Sequence, residues 1–269
     1  MEPEKEYLSI LDLLGRVVEA NKGIKLTNET LSEAESLAIK LFHHSASALY
    51  LSRGTIISDF PSARVNFFDH SSINVLTRAA LESYLIFHYL HGANVSEEDR
   101  ELRFYSRQLA GLKESQDFSY TILNAREILK RNQERISRCE EILGKNIVFR
   151  GLKRKRQKRI LAGDWRLLSW RDIATDAGLS ELNAKNVYRY LCGYAHSGSL
   201  STLQVGVART AETQSALFSG SMGVIKIAIS NLILEYRRLF PKSGLELSKD
   251  ENTAAKITAE NWVWIGRKE

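Results

Sequence analysis

The sequence is poor in the residues that interrupt helices and in those that cross-link small folds. Its 269 residues include three prolines, at Pro3, Pro61 and Pro241, all outside the long periodic runs. Because proline ends or kinks a helix, this scarcity favours long uninterrupted helices. Only two cysteines are present, Cys139 and Cys192, which excludes a disulfide framework and with it the class of small, disulfide-rich secreted domains.

Several sequence motifs that define enzyme classes are also missing. The sequence contains no GxxxxGK[ST] phosphate loop, no GxGxxG dinucleotide motif, no HExxH metal motif and no nucleophile elbow. The adjacent His43 and His44 point in different directions on a helix, so we expect no zinc site. We also expect no cofactor. These absences argue against a nucleotide hydrolase and against a dehydrogenase.

No segment of the sequence is expected to carry the chain to or across a membrane. The first ten residues, MEPEKEYLSI, are acidic and lack the apolar core of a signal peptide. The most apolar run, residues 222–234, is too short to span a bilayer and contains Lys226. We therefore expect a cytosolic protein without a membrane partner.

Positive charge is concentrated in one short run. The net charge is +6, and residues 150–159, RGLKRKRQKR, carry seven basic side chains and no acidic one, so the rest of the chain is close to neutral. Such a patch suits a phosphate backbone or an acidic partner, and a solvated segment can have the same composition. The candidate RNA-binding residues are Lys153, Arg154, Lys155, Arg156, Lys158 and Arg159.

Helical periodicity runs through most of the chain, and we find no convincing strand pattern. This predicts an all-α fold, a helical bundle with long core helices and a basic, less regular insertion. Asn28 and Ser180 are predicted N-caps, and residues 198–206 are predicted to form a loop. We expect a single domain, 1–269, with its core at about 29–91 and 165–240, accessory helices and the basic segment at about 96–164, and a polar tail at 241–269.

Two predicted helices carry polar residues whose spacing suggests chemistry. Arg78 and Glu82 are four residues apart and share a helix face, either as an exposed ion pair or, if this helix is central, as a buried site. Arg189 and His196 are seven residues apart, which returns to nearly the same face about 10 Å further along. A guanidinium binds phosphate oxygens, and an imidazole transfers protons near neutral pH.

The spacing from Arg189 to His196 resembles the signature of the HEPN superfamily, the higher eukaryotes and prokaryotes nucleotide-binding domains. Tyr190 stands where that pattern usually has Asn, Asp or His directly after the Arg, and Arg64 and His70 have a similar spacing that crosses a predicted loop. Residues from about 65 to 235 also resemble a bacterial family of unknown function. That family pairs an R-x-x-x-E helix, here with Arg78 and Glu82, with a later Tyr-rich helix that ends in a His between small residues.

The HEPN resemblance implies a metal-independent ribonuclease of a bacterial toxin–antitoxin or antiviral defence system. His196 would transfer protons, Arg189 would bind phosphate, and Arg78, held by Glu82, would be a second phosphate contact. RNA, a second copy of the chain in a homodimer, and an antitoxin or other protein are the implied partners.

The alternative is a non-enzymatic helical module that binds nucleic acid or a protein. Arg189 and His196 would then be buried polar ties, and His196 would interact with the last carbonyl groups and the dipole of its helix. The tyrosines of the same helix, Tyr188, Tyr190 and Tyr194, are expected to pack rather than to stack on bases.

Overall fold

The computed structural model describes residues 2–24, 28–58, 64–92, 94–118 and 125–268. Within these ranges the fold is all-α, as the periodicity predicts, apart from one small sheet. Contacts divide the chain into two compact units, Met1–His88 with Trp170–Glu269, and Tyr89–Ser169. The second unit contains the segment expected at about 96–164, and the tail at 241–269 belongs to the first. The single folding domain stays a prediction.

The described residues form thirteen α-helices and two short strands. The elements up to the end of the second unit are α1 (Pro3–Glu19), α2 (Glu29–Ser52), β1 (Thr55–Ile57), β2 (Val65–Phe67), α3 (His70–His91), α4 (Glu97–Phe118), α5 (Ala125–Lys145), α6 (Ile147–Gly151) and α7 (Arg154–Leu161). The remaining helices are α8 (Trp170–Asp176), α9 (Glu181–Ala195), α10 (Ser199–Val207), α11 (Ala211–Leu239), α12 (Pro241–Leu247) and α13 (Thr253–Arg267).

Helix α11 is the core helix of the first unit. It packs against α1, α2, α12 and α13, and Ile225, Ile229 and Tyr236 are completely buried. At Gly266 of α13 an added Cβ would lie 2.7 Å from Ile227 Cγ2, so only glycine lets α13 approach this closely. Among the described helices, α11 alone is long and apolar enough to cross a bilayer. The most apolar window of α11 is 56% buried inside the protein, and the buried core helix of a globular unit can have the same length and composition.

The helix boundaries confirm two caps and correct one loop. Asn28 caps α2 by accepting from Thr30 N, and Ser180 caps α9 by accepting from Asn183 N, as predicted. The prediction of a loop at 198–206 is wrong, because residues 199–207 form α10. Its apolar residues, Leu200, Leu203, Val205 and Val207, are exposed, so the segment has no buried stripe that periodicity could reveal.

The small sheet was not expected from the sequence. Strands β1 and β2 pair antiparallel, with Ile56 opposite Asn66, and each has only three residues, too few to show an alternating pattern. Of the connection predicted at residues 58–62, all but Ser58 lies outside the described residues.

The second unit has a core of its own. Helices α4 and α5 pack against each other, and α6 and α7 pack on α4. The buried residues are Leu102, Leu109, Leu112, Ile136, Cys139, Leu143, Phe149 and Ile160. The insertion predicted as less regular contains the two short helices α6 and α7, which are joined by Leu152 and Lys153.

Candidate functional site

The end of helix α9 has a backbone geometry that explains its small residues. His196 is the C-cap, and Ser197 has φ +51°, in the left-handed region. Gly198 N donates to Gly193 O at 2.7 Å, and Ser197 N donates to Tyr194 O at 3.4 Å, which together form a Schellman motif. A Cβ at Gly198 would lie 3.3 Å from the Gly193 backbone, so this close approach favours glycine. The motif fixes the backbone at His196.

Helices α3 and α9 bring four polar side chains together, which we call the Arg78 cluster: Arg78, Glu82, Tyr188 and His196. Glu82 Oε1 accepts two hydrogen bonds, from Arg78 Nε at 3.0 Å and from the Tyr188 hydroxyl at 2.8 Å. Arg78 Nη1 lies 3.2 Å from His196 Nε2. The guanidinium carbon of Arg78 is 5.7 Å from the centre of the Tyr188 ring. The R-x-x-x-E helix and the end of the Tyr-rich helix therefore meet in one site.

The contact between Arg78 and His196 defines the protonation of the imidazole. A guanidinium can only donate hydrogen bonds, so His196 Nε2 must accept and therefore carries no proton in this arrangement. The proton of the neutral ring is then on Nδ1. His196 itself is exposed, so its ring is accessible to a substrate or to solvent. An unprotonated Nε2 at the surface is the form that a general base requires.

The exposure of the Arg78–Glu82 pair is intermediate between the two cases that the sequence left open, an exposed ion pair and a buried site. The side chains are 20% and 26% exposed, so the pair is neither fully solvated nor sealed in the core. Burial lowers the pKa of Arg78, but the charge of Glu82 and hydrogen bonding with Tyr188 outweigh burial and raise it overall. Burial and the hydrogen bond to Glu82 raise the pKa of Tyr188, which keeps its hydroxyl protonated as a donor.

Arg189, the predicted partner of His196, lies elsewhere on α9. It is exposed and lines a hollow together with Tyr190, Tyr194 and the start of α10. No hydrogen bond or ion pair of Arg189 is found within the described ranges, whereas Arg78 contacts His196 directly. The role of Arg189 as a phosphate-binding cation stays a prediction.

The other Arg–His spacing in the sequence produces no comparable site. His70 is the first residue of α3, is buried, and packs its ring edge-on against Tyr194 at 6.1 Å between ring centres. Arg64 is exposed just before β2.

A second polar cluster, centred on His88, was missed by the sequence analysis. His88 Nδ1 lies 2.7 Å from Glu235 Oε1, and His88 Nε2 lies 3.2 Å from Asp176 Oδ2. The Tyr84 hydroxyl also donates to Glu235 Oε1, at 3.3 Å. Both ring nitrogens face carboxylates, and both can donate at once only when the ring is protonated. Burial lowers the pKa of His88, but hydrogen bonds and charges from Glu235 and Asp176 raise it overall.

The basic run lies in the second unit, and its cations fall into two groups, those with an ion-pair partner and those without one among the described residues. Arg156 and Arg159 both contact Asp164, at 3.0 and 2.5 Å, and share its single negative charge. The other members of the predicted RNA-binding set have exposed side chains without an ion pair in the described part of the chain: Lys153, Arg154, Lys155 and Lys158. Four cations of the six are therefore free to meet phosphate groups.

No group of three or more His, Cys, Asp or Glu side chains among the described residues is arranged to hold a metal ion. The two free cysteines are Cys139, which is buried in the core of the second unit, and Cys192, which is half-buried on α9.

Comparison with known proteins gives one match. Residues 65–210, more than half of the chain, match the model of a family of unknown function, DUF5677. The matched stretch contains all four residues of the Arg78 cluster and the whole basic run, but it ends before Glu235 of the His88 cluster. No curated protein and no solved structure matches the chain.

Proposed function

Because the chain belongs to this family of unknown function, we propose its activity from the geometry of the Arg78 cluster: metal-independent cleavage of RNA, of the HEPN type. One observation carries the proposal. Arg78 Nη1 and His196 Nε2 lie 3.2 Å apart at a site open to solvent, so a fixed cation adjoins an unprotonated imidazole nitrogen. These are the two groups that cleavage of a phosphodiester by its own 2′-hydroxyl requires.

In the proposed reaction a phosphate group of RNA takes the place of His196 as the hydrogen-bond acceptor of Arg78. Glu82 and Tyr188 hold the guanidinium in place, and its terminal nitrogens donate to the phosphate oxygens. His196 Nε2 takes the proton of the 2′-hydroxyl, the 2′-oxygen forms a bond to phosphorus, and the bond to the 5′-oxygen breaks. Solvent protonates the 5′-oxygen. The products are a 2′,3′-cyclic phosphate and a 5′-hydroxyl.

The HEPN resemblance supplies the biological setting of this proposal. We propose that the chain acts in a bacterial toxin–antitoxin or antiviral defence system, as a cytosolic homodimer whose partners are RNA and an antitoxin or another protein. The exposed cations at and within the start of α7, Lys153, Arg154, Lys155 and Lys158, would add sequence-independent contacts to the RNA backbone.

A ribonuclease assay in excess EDTA tests the proposal. Total RNA and tRNA are incubated with the wild type, with His196→Ala, and with His43→Ala as the control, since His43 is an exposed histidine on α2 away from the cluster. We expect cleavage by the wild type and by the control, and a loss of roughly 10²–10⁴-fold in His196→Ala, the usual contribution of a general base. Fragments should carry a 2′,3′-cyclic phosphate. Intact RNA with folded wild type, or full activity in His196→Ala, contradicts the proposal.

A second candidate function, a non-enzymatic binding module, is favoured by a different property of the same cluster. Arg78 already has Glu82 and His196 as partners, so the cluster also serves as a polar tie between α3 and α9. In this case His196→Ala lowers the free energy of unfolding, and the wild type binds RNA without cutting it. Four phosphate contacts from α7 would make the logarithm of the binding constant fall with a slope of about −3 against the logarithm of the salt concentration.

A further inference from the structure

The face of α9 opposite to α3 borders a cavity that the proposed function does not use. Its volume is about 520 Å³, within the range of small-molecule sites, and its walls come from α9, α11 and α13 of the first unit. Most of the lining is apolar, with Val187 and Leu191 from α9, Val224 from α11, and Trp262 from α13. None of the described residues that line it is acidic or basic, so the cavity suits an uncharged, apolar group.

Small residues of α11 keep this cavity open. Gly220 and Gly223 lie in the interior of the helix, where each glycine costs about 1 kcal/mol relative to alanine. A Cβ at Gly220 would meet no heavy atom within 4 Å, and at Gly223 it would make an ordinary contact with Trp262 at 3.8 Å. Packing between helices therefore does not require either glycine, in contrast to Gly266. Both glycines line the cavity, and neither is explained by a close contact between helices.

A second hollow, of about 420 Å³, is also lined by α9. The two share Asn186 and Tyr190, and the second is lined by polar residues, among them Ser199 and Gln204. Arg189 is its only charged lining residue among those described, and it has no carboxylate partner there. The two neighbouring spaces thus differ, since the first is largely apolar and without charge and the second is polar with one cation.

We propose that the two spaces together bind one small amphiphile that passes Asn186 and Tyr190, with an alkyl chain in the apolar cavity and an anionic head group against Arg189. The unpaired guanidinium gives the charge complementarity for a carboxylate or a phosphate monoester. The aliphatic side chains of Val187, Leu191 and Val224 give the alkyl chain an apolar wall. The proposal does not depend on RNA cleavage.

Binding of C10 probes to the full-length chain tests the proposal, by calorimetry and by the shift of the melting temperature. Decanoate and decyl phosphate distinguish the two head groups, and decanol and decyltrimethylammonium test the need for an anion. We expect at least one anionic probe to bind and to raise the melting temperature, and decyltrimethylammonium to bind at least tenfold more weakly. AMP serves as a probe for nucleotides, and binding of AMP without binding of either anionic alkyl probe overturns the proposal.

Two variants with matched controls locate the probe. Arg189→Gln should weaken binding of the anionic probe at least tenfold and leave decanol unchanged, whereas Lys185→Gln, which removes an exposed cation from the same helix, should change neither. Gly220→Leu should abolish binding of all probes, and Gly111→Leu, at a helix glycine of α4 with equal space for a side chain, should not. Since leucine is the better helix former, Gly220→Leu should melt at or above the wild-type temperature without ligand. Unchanged binding in Arg189→Gln or in Gly220→Leu refutes the proposed site.

Discussion

The exchange Glu82→Gln tests whether a carboxylate holds the Arg78 cluster together. Glutamine keeps the size and one acceptor oxygen, but it removes the charge that faces Arg78 Nε at 3.0 Å and the Tyr188 hydroxyl at 2.8 Å. A hydrogen bond to a charged group contributes about 1.5–3 kcal/mol, and a fully solvated ion pair only about 0.2–1 kcal/mol. Because the Glu82 side chain is 26% exposed, we expect an intermediate loss of about 2 kcal/mol in the free energy of unfolding.

A double-mutant cycle with Tyr188→Phe separates the cluster from general packing. Both Arg78 and Tyr188 donate to the same atom, Glu82 Oε1, so removing the carboxylate should remove most of the benefit of the Tyr188 hydroxyl. We expect a coupling free energy of about 1 kcal/mol between Glu82→Gln and Tyr188→Phe. Independent effects of the two exchanges would mean that they destabilise the protein for unrelated reasons.

Urea denaturation followed by circular dichroism and by tryptophan fluorescence measures these differences, and agreement of the two signals checks that one transition is observed. The control is Asp12→Asn, which breaks an exposed i,i+4 pair with Arg16 of the same unit, at 2.9 Å. We expect it to change the free energy of unfolding by less than about 0.5 kcal/mol. If Glu82→Gln is as mild as this control, the carboxylate does not organise the cluster.

Two further predictions concern backbone strain and pH. Ser197→Gly should raise the free energy of unfolding by about 1 kcal/mol in the same denaturation assay, because φ +51° is strained for serine and free for glycine; no gain would refute strain at this position. The raised pKa of His88 means that its protonation stabilises the fold fully below its ordinary pKa of 6.5, and that this contribution is lost as pH rises through the folded-state value. The stability difference between wild type and His88→Gln should therefore shrink from pH 5.5 to pH 8.5. Burial lowers the pKa of His91 to about 4, so His91 contributes to the pH dependence of stability in the opposite direction. This contribution is the same in the wild type and in His88→Gln, and it cancels in the difference between their free energies of unfolding. A difference that is constant with pH would contradict a protonated His88.

Local sequence signals were sufficient for most of the fold. The caps at Asn28 and Ser180 depend on side chains that bond to backbone groups two or three residues away, so the sequence alone reveals them. The i,i+4 pair of Arg78 and Glu82 is local in the same sense. Helix α10 was missed because its apolar side chains stay exposed, and periodicity detects only helices that bury one face.

The site itself depends on contacts between distant parts of the chain. Arg78 and His196 are 118 residues apart, and Glu82 and Tyr188 are 106 apart, so no spacing rule connects them. The sequence therefore suggested Arg189, the arginine on the same helix, as the partner of His196. His88 was missed for the same reason, since Asp176 and Glu235 come from elements 88 and 147 residues further along.

The division into units also has a consequence for how the protein is made. The first unit is interrupted in sequence by the second, so α1 to α3 leave the ribosome well before their main packing partner, α11. The end of α3 and the end of α11 are separated by about 150 residues, which corresponds to roughly 7–30 s of translation at ~5–20 residues per second. During this interval the apolar faces of α1 and α2 have no α11 to cover them, while the second unit, which is continuous in sequence, is completed before α11 is made. We expect nascent chains stalled after residue 169 to protect the second unit from proteolysis and to leave residues 2–88 open to chaperones.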